Sequence, residues 1–131
     1  TVSDANLILG RLPENLVGGR MKLNKQKAIN SVKQISKKLK ISIEQAALGI
    51  IGIVNSNMTR AIRAVSVERG HDPRLFSLMP FGGAGGLHAV DIARELSIKN
   101  IIVPRSPPAT SICVQTTDMG FASYNSERKP L

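Results

Sequence analysis

Hydrophobic positions return along this chain at two spacings. Through the first half they recur every three or four residues, which places them on one stripe of a helix. "SDANLILGRLP" predicts a short first helix, with Ser3 as N-cap, Leu7, Ile8 and Leu9 apolar, and Gly10 and Pro13 as stops. "VGGR" at 17–20 reads as a turn. From Lys25 to Leu39, the residues Ala28, Ile29, Val32, Ile35 and Leu39 share a stripe and the lysines fall largely off it, so an amphipathic helix capped by Asn24 is expected. A longer helix follows from Ser42, where "SIEQ" pairs Ser42 with Gln45 as a capping box. Its stripe of Ile43, Ala46, Ala47, Ile50, Ile51, Val54, Met58, Ala61, Ile62 and Val65 runs to about Arg69, with Gly70 as the stop. Gly49, Gly52 and Ser56 form an adjoining small-residue face that suits the close approach of another helix. Asn57 falls on the apolar stripe, where a buried amide needs partners, either a neighbouring backbone or a ligand.

Beyond "ERGHDPRLF", a turn fixed by Pro73, the spacing changes. "LFSLMPF" is short, apolar and bounded by turn signals, as a buried strand would be. Glycines follow it, then "LHAVDIARELSI", helical with Leu87, Val90, Ile92, Ala93 and Leu96 available for burial. "NIIVP" supplies a second strand, Ile101–Val103. A strand–loop–helix–strand unit implies parallel strands and a right-handed crossover. The expected class is therefore α/β and helix-rich: two long helices plus a β-loop-α-β unit in a single domain over 1–131. After Pro104 the pattern weakens, with "SPPATSICVQTTDMG" as a loop or short helix and 106–131 as a weakly structured tail. Two parallel strands alone are an incomplete sheet. The chain also opens on "TVSDANL" without Met. Both features lead us to expect a processed chain or a part of a larger fold.

Composition narrows the function classes. The 131 residues fit one globular unit, with an aliphatic core because the aromatics are only Phe76, Phe81, Phe121 and Tyr124. Cys113 is the lone cysteine and reads as packing rather than as a nucleophile. With no signal peptide and no long apolar span, a cytoplasmic setting and no membrane partner are expected. Net charge is +9, and from Arg20 to Lys40 there are eight Lys or Arg and no acid. Such a block suits a phosphate-seeking patch or the wet face of a helix. It carries no aromatic side chain to stack on bases, so nucleic acid is a weaker reading than solvation.

Candidate chemistry gathers at "PFGGAGGLHA", where four glycines fall in five residues. A glycine element between a strand's C-terminal end and a helix N-terminus offers unpaired N–H groups to an anion or nucleotide. No Lys-Ser or Lys-Thr follows, so it is not a P-loop, and its spacing departs from the dinucleotide fingerprint. The glycines can equally serve close strand–helix packing. His88 is expected in the first helical turn, where the dipole favours a neutral imidazole that donates to a ligand or caps a loop carbonyl. Arg60, Arg63, Glu68, Arg69 and Asp72 form a polar cluster before the strand. Glu68 or Asp72 is an acid, ligand or orienter in one reading; in the other it is an ion-pair partner of Arg69 or Arg74. No metal site is expected.

At these residues the sequence resembles a known family. "TVSDANLILGRL", "GGRMKL" and the run "AALGIIGIVNSNMTRAIRAVSVERGHDPRLFSLMPFGGAGGLHAVDIARELSIKNIIVP" are similar to the hydantoinase A / 5-oxoprolinase family. That family holds ATP-dependent N-methylhydantoinase and oxoprolinase and related subunits of acetone and acetophenone carboxylases. The resemblance covers Thr1 to about Pro108 and implies the C-terminal part of an actin/Hsp70-like ATPase fold. It implies that Gly82, Gly83, Ala84 and Gly85 contact the adenosine of ATP, with His88 beside them. The family pattern also contains Glu68, Arg69 and Asp72, with no assigned chemistry; together with Asn57 from the helix stripe they make a candidate polar site cluster, and no catalytic residue is named.

The departures from the family pattern are specific. Gly86 stands where "GGAGP" is usual, and "PPATSICV" keeps Pro107 and Ser111 but has Pro108, Ile112 and Val114 at other pattern positions. The Asp-Gly-Gly-Thr type loop that holds Mg²⁺ and the β- and γ-phosphates is absent. The implied function is the adenosine-binding part of an ATP-dependent cyclic-amide hydrolase, inactive by itself. Its partner would be the remainder of the parent chain or a second subunit. The carboxylase branch, a basic nucleic-acid module and a self-associating assembly module are the competing readings.

Overall fold

The computed structural model describes residues 1–16 and 19–103, and the backbone of 119–122. It is a helix-rich α/β structure, as the periodicity implies, and its contacts form two compact units, Thr1–Ser56 and Asn57–Leu131. Residues 17 and 18 of the turn expected at 17–20, the loop or short helix after Pro104, and Cys113 lie outside the described residues.

The first unit opens with α1, Val2–Ile8. Its cap is Thr1 rather than Ser3: the Thr1 hydroxyl accepts from the Asp4 amide, and the Asp4 carboxylate accepts back from Thr1, a reciprocal capping box. A two-stranded antiparallel hairpin, β1 (Asn15–Leu16) and β2 (Met21–Lys22), follows. It is too short to leave a period in the sequence. Helix α2, Lys25–Leu39, starts where Asn24 Oδ1 accepts from the Lys27 amide at 2.9 Å, and ends at Lys40 in the left-handed region. It packs on α1. Ala28, Val32 and Ser36 are buried, whereas Ile35 and Leu39 are exposed.

Helix α3, Ile43–Val65, begins with the predicted box: the Gln45 amide donates to Ser42 Oγ and the Ser42 amide to Gln45 Oε1, both at 3.0 Å. Ala5 of α1 closes with Ala47 and Ile51 into the first apolar cluster, flanked by Val2, Ile8, Leu9 and Ile50. The helix stops at Val65, short of Arg69. Ser66 Oγ donates to the Ile62 carbonyl at 2.7 Å, and a 3₁₀ turn at Val67–Arg69 ends on Gly70 at φ +81°.

In the second unit, Pro73–Leu75 form a further 3₁₀ turn, so Leu75 is exposed and the strand β3 is only Ser77–Pro80. Helix α4 spans Gly82–Glu95 and β4 is Asn100–Ile101. β3 and β4 run parallel with Ser77 opposite Asn100 and Leu78 opposite Ile101, and the Ile102 amide donates to the Leu78 carbonyl at 2.9 Å. The second strand therefore starts earlier than Ile101, and Val103 is exposed. The incomplete sheet gains a third strand, β5 (Met119–Ala122), antiparallel to β3, giving the order β4-β3-β5. Leu78 and Ile92, both 0% exposed, centre the second apolar cluster with Ile62, Ala89, Ala93, Leu96 and Ile98.

Candidate functional site

The glycines do not form a loop. α4 begins at Gly82, directly after Phe81, so Gly82–Gly86 are its opening turns. The physical reason is the chain reversal at Gly82 itself, whose φ of +77° turns the backbone from strand into helix in one residue. Phe81 holds the N-cap position and offers no side-chain hydrogen bond, and no acid lies in the first turn. The first-turn amides and the positive end of the helix dipole thus meet neither a capping oxygen nor a carboxylate of their own helix.

The glycines divide by environment. A Cβ built on Gly85 comes 3.3 Å from Pro80 Cβ and 3.7 Å from the Pro80 carbonyl carbon. Gly85 therefore serves close packing of α4 on the end of β3. Built on Gly83 or Gly86, a Cβ meets nothing within 4 Å. Those two positions leave bare backbone beside open space at the carboxyl end of a sheet strand, where ligands collect in α/β folds. Ala84 is exposed between them. His88 falls in the second turn, not the first, and is 1% exposed. It belongs to the interior of the unit rather than to the helix mouth.

The polar cluster does not assemble. Asn57 is exposed, not on the buried stripe, and its Oδ1 accepts from Arg60 Nη2 at 2.9 Å. The buried line of α3 runs instead through Ile51, Asn55, Thr59 and Ile62, spaced three and four apart, and continues to Ser66 just beyond the helix end. Polar residues at 55 and 59 hid that line from a hydrophobic pattern. Thr59 is 1% exposed, and its Oγ1 has no hydrogen-bond partner among the described residues. Glu68 and Arg69 are exposed and form no ion pair with each other or with Asp72. Asp72 pairs with Arg74, whose Nη2 donates to Oδ2 at 2.7 Å and whose Nε donates to both carboxylate oxygens. Those hydrogen bonds hold the Asp72 carboxyl below the usual carboxylate range and raise the Arg74 guanidinium. In the first unit, the Thr1 ammonium and hydroxyl do the same to Asp4.

Elsewhere, a hollow of about 400 Å³ opens between Glu14, Lys22, Leu23, Asn24, Lys25 and Gln26, and contains none of the candidate residues. Among the described residues, no three His, Cys, Asp or Glu side chains come together as metal ligands, and no helix is long and apolar enough to cross a membrane. The eight basic side chains of 20–40 are all exposed.

The strand–glycine–helix element and its surroundings match a described family over nearly the whole chain: the Hydantoinase/oxoprolinase model covers residues 1–127. The chain belongs to the hydantoinase/oxoprolinase family. An uncharacterized protein of Methanocaldococcus jannaschii is 49% identical over 81% of this chain and 16% of its own length. Caprolactamase subunit alpha of Pseudomonas jessenii is 46% identical over 86% of this chain and 16% of its own. The crystal structure of the ATP-dependent caprolactamase from that organism superposes with a TM-score of 0.76 over 82% of this chain and 16% of that one. A nucleotide-free acetone carboxylase structure superposes at 0.72, with 33% identity over 79% of this chain and 15% of that one. This hydantoinase/oxoprolinase segment thus spans about a sixth of the length of such relatives. The relatives named here with a known activity are ATP-dependent enzymes.

Proposed function

We propose that residues 1–131 are the C-terminal part of a hydantoinase A-type domain with an actin/Hsp70-like ATPase fold, and that they supply the adenosine side of its ATP cleft. The observation that carries this reading is the uncapped opening of α4, with bare backbone at Gly83 and Gly86 facing open space. Gly82, Gly83, Ala84 and Gly85 bind by backbone contact, and Gly85 fixes the helix against Pro80. His88 acts from beneath, as buried support for the helix that carries the contact. When bound in the whole enzyme, ATP supplies the phosphoryl group that activates a cyclic amide oxygen towards water. This segment orients the nucleotide and leaves Mg²⁺ and the transferring phosphate to the rest of the enzyme. It does not hydrolyse ATP alone. The likeness to acetone carboxylase keeps a second reading, in which the same element serves ATP-dependent carboxylation.

Titration with ATP and ADP while following the amide NMR signals of Gly82–Gly86 tests the proposal. Shifts confined to that element, abolished by Gly83→Leu in a protein that stays folded, are expected. No shift at millimolar nucleotide sinks the binding claim for this chain.

A further inference from the structure

Charge on this chain is concentrated. Eight of its 18 Lys and Arg and none of its nine acids fall in 20–40, so the remainder, with ten basic against nine acidic residues, is near neutral. Five of the eight lie on α2, whose first turn holds no acid. Lys25 and Lys27 oppose the positive end of the helix dipole there, and Lys33 and Lys37 repel one another at a spacing of four. Among the described residues none of the eight takes part in an ion pair. These charges therefore cost the folded chain stability rather than supplying it. Helical geometry sorts the outward side chains of α2 into three rows. Ala28, Val32 and Ser36 mark the buried side, and Asn30 and Gln34 run directly opposite. Lys33 and Lys37 flank these amides on one side and Lys27 and Lys38 on the other, all within an arc of about 140°. All six are exposed.

We propose that this face of α2 binds double-stranded DNA, with the helix seated in the major groove. That groove is about 12 Å wide and admits an α-helix. Phosphates line its two rims and match the two lysine rows, while its floor presents base edges to the amides of Asn30 and Gln34. The missing aromatic side chains weigh against single strands, whose bases stack on rings. A duplex keeps its own bases stacked and needs none. The major groove of an RNA duplex is too deep and narrow for side chains to read. An acidic protein surface would satisfy the lysines but would not explain their division into two rows about a row of amides. A membrane surface requires apolar side chains on the same face, and the three rows hold none. The inference is independent of nucleotide contact at α4, none of whose residues takes part.

Fluorescence anisotropy of a labelled DNA duplex of about 20 base pairs, titrated with the full chain, tests the proposal. A Kd of about 1–10 μM is expected at about 50 mM salt. Four neutralised phosphates give a logarithmic salt slope of about −3.6, so affinity falls about 150-fold between about 50 and 200 mM. Lys33→Gln with Lys38→Gln takes one lysine from each row. It halves the slope to about −1.8 and weakens binding at least about tenfold at the lower salt. Both side chains are exposed and their loss relieves repulsion, so helicity by circular dichroism is kept. Arg94→Gln with Lys99→Gln removes the same charge from exposed positions in the second unit and leaves affinity and slope unchanged. Absence of binding at about 50 mM salt overturns the proposal, and so does equal weakening by the two pairs. An RNA duplex of the same sequence bound as tightly overturns the groove reading. Displacement of the DNA by polyglutamate or by phosphatidylserine vesicles at equal charge overturns it in favour of an acidic protein or a lipid surface.

Discussion

Gly85→Ala offers a sharp test of how α4 sits on β3. A methyl at this position lies 3.3 Å from Pro80 Cβ, with the Pro80 carbonyl carbon and Cα at 3.7 and 3.8 Å. Relief requires Pro80 to move by a few tenths of an ångström. Pro80 is buried, its ring fixes φ, and it stands opposite Met119 at the end of the sheet's central strand. It has little room to give. Overpacking of this kind costs about 1–3 kcal/mol, whereas replacing glycine by alanine within a helix gains up to about 1 kcal/mol. The net is a loss of roughly 0.5–2 kcal/mol, a fall of about 2–8 °C in the unfolding midpoint for a chain of this size. Gly86→Ala is the control: one residue on, in the same helix, with nothing within 4 Å of its Cβ. It gains about 0.5–1 kcal/mol, and its midpoint rises by a few degrees. Thermal unfolding followed by circular dichroism reads both. Two variants that rise together would refute the close approach of α4 to Pro80.

Ser42→Ala removes one hydroxyl from a reciprocal box at the head of the longest helix, and should destabilise the chain by about 1 kcal/mol in urea titrations. Asp72 has its folded pKa depressed by Arg74, so the pair's contribution is fully present above the unfolded carboxyl value near pH 4 and is lost as pH falls through the lower folded value. An NMR pH titration of the Asp72 carboxyl should give a midpoint below 3.8, and Arg74→Gln should return it to the ordinary range.

Local signals in the sequence are legible at most caps and stops, although at α1 the cap is Thr1 rather than Ser3. Asn24 starts α2, Ser42 with Gln45 starts α3, and Gly70 closes the turn after it, because each acts on backbone groups within a few residues. Signals that depend on distant partners were not legible. The register of burial on α3 passes through Asn55 and Thr59, whose polarity masks a line that tertiary packing chooses, so the hydrophobic pattern points Asn57 inward although it is exposed. The third strand draws its partner, β3, from far along the chain, and four residues are too few to set a period. At the candidate site, the glycine cluster and the strand before it were legible. That the glycines open the helix, and that Gly85 lies close against Pro80, follows from three-dimensional approach and leaves no mark in the order of residues.

The strand order β4-β3-β5 also sets an order of assembly. β4 reaches β3 across α4 alone, while β5 must return from about twice as far along the chain. Each doubling of an enclosed loop adds about 0.6 kcal/mol of closure entropy. The β3–α4–β4 unit, which also holds Leu78 and Ile92, is therefore the nucleus, and β5 is the last piece in and the first out. Native-state hydrogen exchange should show the amides of Gly120 and Ala122, the pair of β5 that faces β3, opening in less denaturant than those of Leu78 and Ile102. Simultaneous opening would mean that the three strands form a single cooperative step.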